Sequence, residues 1–156
     1  MRIFTIDPGS RCGWAFCDGN RTESGVQEFS LKRGESQGMR FLRFNSWLNE
    51  FLDPYCSVSN LVVYEMAHMR GGYATEVLVG MTTRIQEQCA SLNIASTSVH
   101  SGTLKKFATG KGNASKEEMV EEAKKRFPDQ KIESDDQADA LLILAWAREE
   151  FDSGGK

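Results

Sequence analysis

Residues 2–7 alternate Ile3 and Thr5 with Phe4 and Ile6 and stop at Asp7-Pro8-Gly9, a pattern that predicts a strand running into a turn. A second strand is predicted over 13–17, a tight loop at Asp18-Gly19-Asn20 and a third strand over 24–31, so three antiparallel strands open the chain. Met39, Phe41, Leu42, Phe44, Trp47, Leu48, Phe51 and Leu52 recur at helical spacing and predict an amphipathic helix ended by Asp53-Pro54. Leu61-Val62-Val63-Tyr64 is a continuous apolar run, the pattern of a strand buried on both faces, and it closes on Glu65. After a flexible Arg70-Gly71-Gly72, residues 74–92 predict a long helix and 94–99 a fifth strand. Residues 103–108 read as a short helix or turn, 109–113 as a glycine-rich loop and 115–127 as a helix. Ser115-Lys116-Glu117-Glu118 has the form of a reciprocal capping box, and Ser134-Asp135-Asp136-Gln137 repeats it ahead of the apolar segment 138–146. The order βββαβαβαα shows no repeat and no Pro- or Ser-rich linker, which predicts one α/β domain over 1–152 and a frayed tail at 153–156.

Composition narrows this little. With 40% hydrophobic and 26% charged residues and three prolines in 156, the chain can build a core, and disorder or a collagen-like repeat is excluded. No run of about eighteen apolar residues exists to cross a bilayer. An acid, Asp7, arrives before any signal-peptide core, so the expectation is a cytoplasmic protein with no membrane partner. Cys12, Cys17, Cys56 and Cys89 lack metal or redox spacing and read as reduced, partly buried thiols.

The net charge of −3 is unevenly distributed: residues 1–116 carry +3 and residues 117–156 carry −6. No acid lies between Glu87 and Glu117, where Lys105, Lys106, Lys111 and Lys116 fall, so a local basic surface is compatible with an acidic total.

The acids offer the chemistry. Asp7 closes the first strand, Glu65 the fourth, and Asp136 and Asp139 share one face near the start of the last helix. Asp135, four residues from Asp139, is a rival that spacing does not separate from Asp136. Each acid has a local explanation as well: Asp7 as a turn former, Glu65 as an exposed strand end, Asp136 as a first-turn acid facing the helix dipole. If the first and fourth strands are neighbours and the last helix covers their ends, four carboxylates converge and raise one another's pKa until cations compensate them. Mg²⁺ or Mn²⁺ suits such oxygen-rich sites, and two ions about 4 Å apart serve phosphoryl transfer. Two bound ions would also turn a formal −3 into +1.

Four segments taken together, Asp7-Pro8-Gly9-Ser10-Arg11-Cys12-Gly13-Trp14-Ala15, the strand-end Glu65, residues 104–116 and Asp136-Gln137-Ala138-Asp139-Ala140-Leu141, resemble the RuvC family of Holliday junction resolvases in the RNase H-like superfamily. The resemblance covers essentially the whole chain. It implies a mixed five-stranded sheet, three antiparallel strands then two parallel, flanked by helices. It also implies a homodimer and Mg²⁺-dependent nicking of opposed strands at a four-way DNA junction, leaving 5′-phosphate and 3′-hydroxyl ends. It places metal ligands at Asp7, Glu65, Asp136 and Asp139, favouring Asp136 over Asp135, and matches Lys105 and Lys116 to functionally important basic positions. The DNA contacts expected are Arg11, His68, Arg70, Tyr73, Lys105, Lys106, Lys111 and Lys116, although a solvated loop explains Lys111 more simply.

The family tends to place a wedging aromatic after the strand-end glutamate, whereas this chain reads Met66-Ala67-His68-Met69-Arg70-Gly71-Gly72-Tyr73. In that respect it is similar to phage-encoded relatives, some of which act on branched DNA more broadly. Val77, Leu78, Met81 and Ile85 fit a dimer face or a core face equally. The rival functions are an RNase H-like nuclease for other branched or hybrid substrates and a non-catalytic branched-DNA-binding protein. A sugar-kinase-like ATPase shares the Asp-x-Gly hairpin but needs about twice the chain.

Overall fold

Residues 1–53 and 60–152 are described by a computed structural model. The strands are β1 (Ile3–Asp7), β2 (Arg11–Cys17), β3 (Thr22–Glu28), β4 (Leu61–Glu65) and β5 (Ala95–Val99). The helices are α1 (Gln37–Leu52), α2 (Gly72–Ser91), α3 (Ser101–Thr109), α4 (Lys116–Arg126) and α5 (Asp135–Ala147), and a π-helical turn follows over Arg148–Asp152. The sheet order is β3-β2-β1-β4-β5. β1, β2 and β3 pair antiparallel, as the pattern predicts, and β4 and β5 extend the sheet parallel to β1, the arrangement that the family resemblance implies.

Differences lie at element ends. β2 starts two residues before the expected 13–17 because Arg11 and Cys12 pair with Glu28 and Gln27. β3 spans Thr22–Glu28 and not 24–31. Its pairing begins at the hairpin, where Asp18 Oδ1 accepts the N–H groups of Asn20 and Arg21 at 3.1 and 2.9 Å. Residues 103–108 fall within a true helix, so three helices rather than two follow β5. Both predicted capping serines accept a backbone N–H, Ser115 from Glu118 and Ser134 from Gln137. The reciprocal half is absent at both: Glu118 Oε1 bonds Lys111 Nζ at 3.3 Å and its Oε2 accepts no hydrogen bond among the described residues, while Gln137 Oε1 reaches one residue further back to the N–H of Glu133 at 3.0 Å. Pro54 and Cys56, and the tail 153–156, lie outside the described residues.

β1 and β4 are buried on both faces, as a continuous apolar run requires. On one face Phe4, Ile6, Val62 and Tyr64 meet α1 and α2 through Phe44, Trp47, Leu48, Met81 and Ile85. On the other, Ile3, Ala15, Leu61 and Val63 meet α3, α4 and α5. Of the four apolar residues of α2 that fit either face, Val77, Met81 and Ile85 are buried in their own chain's core, whereas Leu78 is only partly buried.

Three contacts seat α5 on the sheet. Fully buried Thr5, the polar residue of β1 on this face, donates from Oγ1 to the carbonyl of Ala140 at 2.7 Å. Gln137, also buried, donates from Nε2 to Ser24 Oγ on β3 and to the carbonyl of Lys131. The third is a close backbone approach: a β-carbon on Gly13 would lie 1.9 Å from the carbonyl oxygen of Asp136. Gly13 is the register partner of Asp7, so the start of α5 rests on the strand position opposite that carboxylate. Gly13→Ala is therefore expected to push the first turn of α5 away and cost about 1–3 kcal/mol. That corresponds to a fall in Tm of roughly 2–12 °C at this chain length. A thermal melt within a degree of the parent would show that the close approach does not exist.

Candidate active site

The parallel register of β1 and β4, Ile3↔Leu61 through Ile6↔Tyr64, brings Asp7 and Glu65 side by side at the ends of adjacent central strands. Asp139, one turn into α5, comes down on them from the helix that Gly13, Thr5 and Gln137 hold in place. One carboxylate oxygen from each of Asp7, Glu65 and Asp139 lies within 4.8 Å of the other two. Residues 7, 65 and 139 are distant in sequence, so folding alone makes this proximity.

Burial first, and then the charges of Glu65, Asp139, Asp136 and Asp135, push the Asp7 carboxyl well above the usual range. Asp139 is pushed up to about 7 by burial, then by Glu65, Asp135 and Asp136, with Lys105 opposing the shift. Nε2 of His68 stands 2.9 Å from Oε1 of Glu65, a hydrogen-bonded pair three residues apart. Without a cation the cluster relieves its repulsion by keeping protons at pH values where an ordinary carboxyl has lost them. Three hard oxygen donors that leave room for further ligands fit a divalent cation of the Mg²⁺ type.

Asp136 lies outside this trio among the described residues. Its Oδ2 is 3.6 Å from Arg11 Nε, and Arg11 also approaches Glu28 Oε1 at 3.9 Å. Its carboxyl is nevertheless raised, by burial and then by Asp135, against the pull of Arg11 and Lys116. Asp135, the rival that spacing left open, points to Lys116, whose Nζ is 3.4 Å away.

A cleft of about 200 Å³ opens at two of the three acids, lined by Glu65, Asp139, His68, Arg70, Lys105 and Lys116 among others. Four of the eight expected DNA contacts therefore share a wall with two of the acids. The other four do not. Arg11 is paired as described, and Lys106 is exposed outside the cleft. Lys111 bonds Glu118 at 3.3 Å on a surface shared with Glu117, Glu121 and Glu122, which would repel a phosphate. The Tyr73 hydroxyl accepts from Arg40 at 2.8 Å and donates to Gln37 at 3.2 Å, at a different cleft. Between β4 and α2 the structure exposes Met66 and Met69, the latter 81% accessible.

No family model matches the chain, and no curated protein sequence matches it. Among solved structures, Thermus thermophilus RuvC aligns over 96% of each chain with a TM-score of 0.70 at 16% identity. T. thermophilus RuvC in complex with a Holliday junction substrate aligns over 96% of each chain with a TM-score of 0.76 at 18% identity. The likeness is one of fold: the five-stranded mixed sheet and its flanking helices form the RNase H-like fold of RuvC.

Proposed function

We propose that this chain is a divalent-metal-dependent endonuclease that nicks branched DNA, four-way junctions foremost, by phosphodiester hydrolysis leaving 5′-phosphate and 3′-hydroxyl ends. The observation that carries the reading is the convergence of Asp7, Glu65 and Asp139 within 4.8 Å of one another, with Glu65 and Asp139 lining a cleft shared with Arg70, Lys105 and Lys116. The same fold is seen with a Holliday junction in the T. thermophilus neighbour.

In this reading Asp7, Glu65 and Asp139 hold the cations, with Asp136, three residues before Asp139, completing the acidic set. Mg²⁺ or Mn²⁺, two per site, would supply neutralisation of the scissile phosphate and acidification of water. Lys105 is close enough to Asp139 to oppose its proton uptake, and from there its ammonium holds a phosphate oxygen as negative charge develops. Lys116, which lines the same cleft, does the same, since its pair with Asp135 is exposed and exchanges readily for a phosphate. His68 orients Glu65, and Arg70 anchors the strand. Paired nicks call for two such sites, hence a homodimer whose interface leaves the buried Val77, Met81 and Ile85 aside.

The test is to incubate the protein with end-labelled four-way, three-way, flap, RNA–DNA hybrid and linear duplexes in Mg²⁺ and to map the nicks. Symmetric paired nicks in the four-way substrate are expected. Preferential cleavage of hybrid, or junction binding without any nicking in Mn²⁺, would overturn the proposal.

A further inference from the structure

Asp136 is the acid that the fold places beside the trio without joining it. It shares a face of α5 with Asp139, and its charge is among those that act on Asp7 and Asp139, yet its oxygens stay outside the group that lies within 4.8 Å of one another. The backbone cannot close that gap. A β-carbon on Gly13 would lie 1.9 Å from the carbonyl oxygen of Asp136, so this turn of α5 already rests on β2 without slack. Rotation of the side chain is the movement left that can carry the Asp136 carboxylate to the trio or away from it.

Arg11, the first residue of β2, holds that side chain. Its Nε lies 3.6 Å from Asp136 Oδ2 and 3.9 Å from Oε1 of Glu28, its register partner on β3. Both are charge contacts too long for hydrogen bonds, so the guanidinium keeps its N–H donors uncommitted among the described residues. The side chain is 56% exposed, at the same end of the sheet as Asp7, whose register partner Gly13 is two residues away. A phosphate offers paired oxygens at hydrogen-bond distance, and a bidentate, charge-assisted contact of that kind outcompetes two loose ones with carboxylates. Neither Arg11 nor Asp136 lines the cleft of Lys105 and Lys116, so the phosphate on Arg11 is not the one held there.

We infer that Arg11 is a positioning residue that exchanges Asp136 for a DNA phosphate. In the free protein it holds Asp136 off the trio; when a phosphate near the scissile one takes the guanidinium, Asp136 turns to the trio and completes the acidic set. The inference rests on the nuclease reading above and adds its regulation, since the full set of cation ligands is assembled only with DNA in place. By linkage, whatever favours one partner of Arg11 disfavours the other.

Two double-substitution cycles on the full chain test the exchange, because the two side chains must act through each other. In the first, Mn²⁺ binding to the DNA-free protein is followed by the paramagnetic resonance of the free ion. Arg11→Gln is expected to tighten it by up to about fivefold, the worth of an exposed pair, and to have no such effect in the Asp136→Asn background. In the second, junction affinity is measured in EDTA, where nicking does not deplete the DNA. Arg11→Gln is expected to flatten the slope of log K against log salt by about 0.9, the share of one phosphate. Asp136→Asn, which frees the guanidinium, is expected to tighten junction binding, and to do so much less in the Arg11→Gln background. Arg11 is exposed and Asp136→Asn nearly conserves shape, so the variants fold, which melts in EDTA check. Additive substitutions in either cycle, as a general effect of charge would give, or an unaltered salt slope would overturn the exchange and leave the nuclease standing. A parent that binds no Mn²⁺, or no junction, would remove both readings.

Discussion

Asp7→Asn is expected to give a folded protein whose Mg²⁺-dependent nicking of a four-way junction falls by on the order of 10³-fold or more. Asp7 sits at the end of the central strand, paired to β2 on one side and beside β4 on the other, so the amide inherits a fixed position. The substitution nearly conserves shape. It removes a cation donor from a trio that has few, and it removes the charge most opposed by burial and by Glu65 and Asp139. The same change should therefore raise the Tm of the metal-free protein at pH 8 while destroying activity. End-labelled nicking assays and melts in EDTA measure the two effects on one preparation. Retained Mg²⁺-dependent nicking would take Asp7 out of the site, and a lowered Tm would mean that its charge is not under strain.

The second large effect is on stability. In EDTA, Tm is expected to fall as pH rises from 5 to 8, and Mn²⁺ is expected to restore it at pH 8 but hardly at pH 5. Asp139 keeps its proton up to about pH 7 in the folded chain and releases it near the ordinary value of 3.8 when unfolded. Between those values the native state binds more protons, so stability declines with rising pH, and the loss is complete once pH exceeds 7. About two of the three units of that shift lie between pH 5 and 7, which corresponds to about 2.7 kcal/mol for Asp139 as an upper bound, or roughly 5–11 °C for a chain of this size. Asp7, shifted in the same direction, adds to it. Cations bind the ionised carboxylates and reverse the trend, a ligand at 100 times its Kd contributing about 2.7 kcal/mol. Melting curves indifferent to both pH and Mn²⁺ would show that the three carboxyls do not interact.

How far the site could be read in advance differs from residue to residue. Asp7 and Glu65 were legible because a strand announces its end by a change from apolar residues to Pro, Gly or charge. Their adjacency was not, since it depends on β4 pairing with β1 and on the register Ile6↔Tyr64. At the last helix, spacing left Asp135 and Asp136 equivalent. In the folded chain Asp139 is the helix's contribution to the trio, while Asp136 meets Arg11 and Asp135 meets Lys116. The rotation of α5 decides this, and the buried contacts of Gly13, Thr5 and Gln137 set that rotation.

The lysines divide likewise. Lys105, Lys106, Lys111 and Lys116 form one acid-free stretch in sequence, yet α4 brings Glu118 and its neighbours against Lys111, while Lys105 and Lys116 face the acids.

Strands, helices and the two serine caps follow from interactions a few residues long, which the backbone imposes wherever the pattern occurs, so reading along the chain was enough to find them. The meeting of three carboxylates and the pairing of Arg11 with Asp136 and of Lys116 with Asp135 arise from side chains far apart in sequence. Only close packing of helices on the sheet fixes those separations, because a shift of one residue in register or a fraction of a turn in a helix would exchange every partner while leaving the local pattern unchanged.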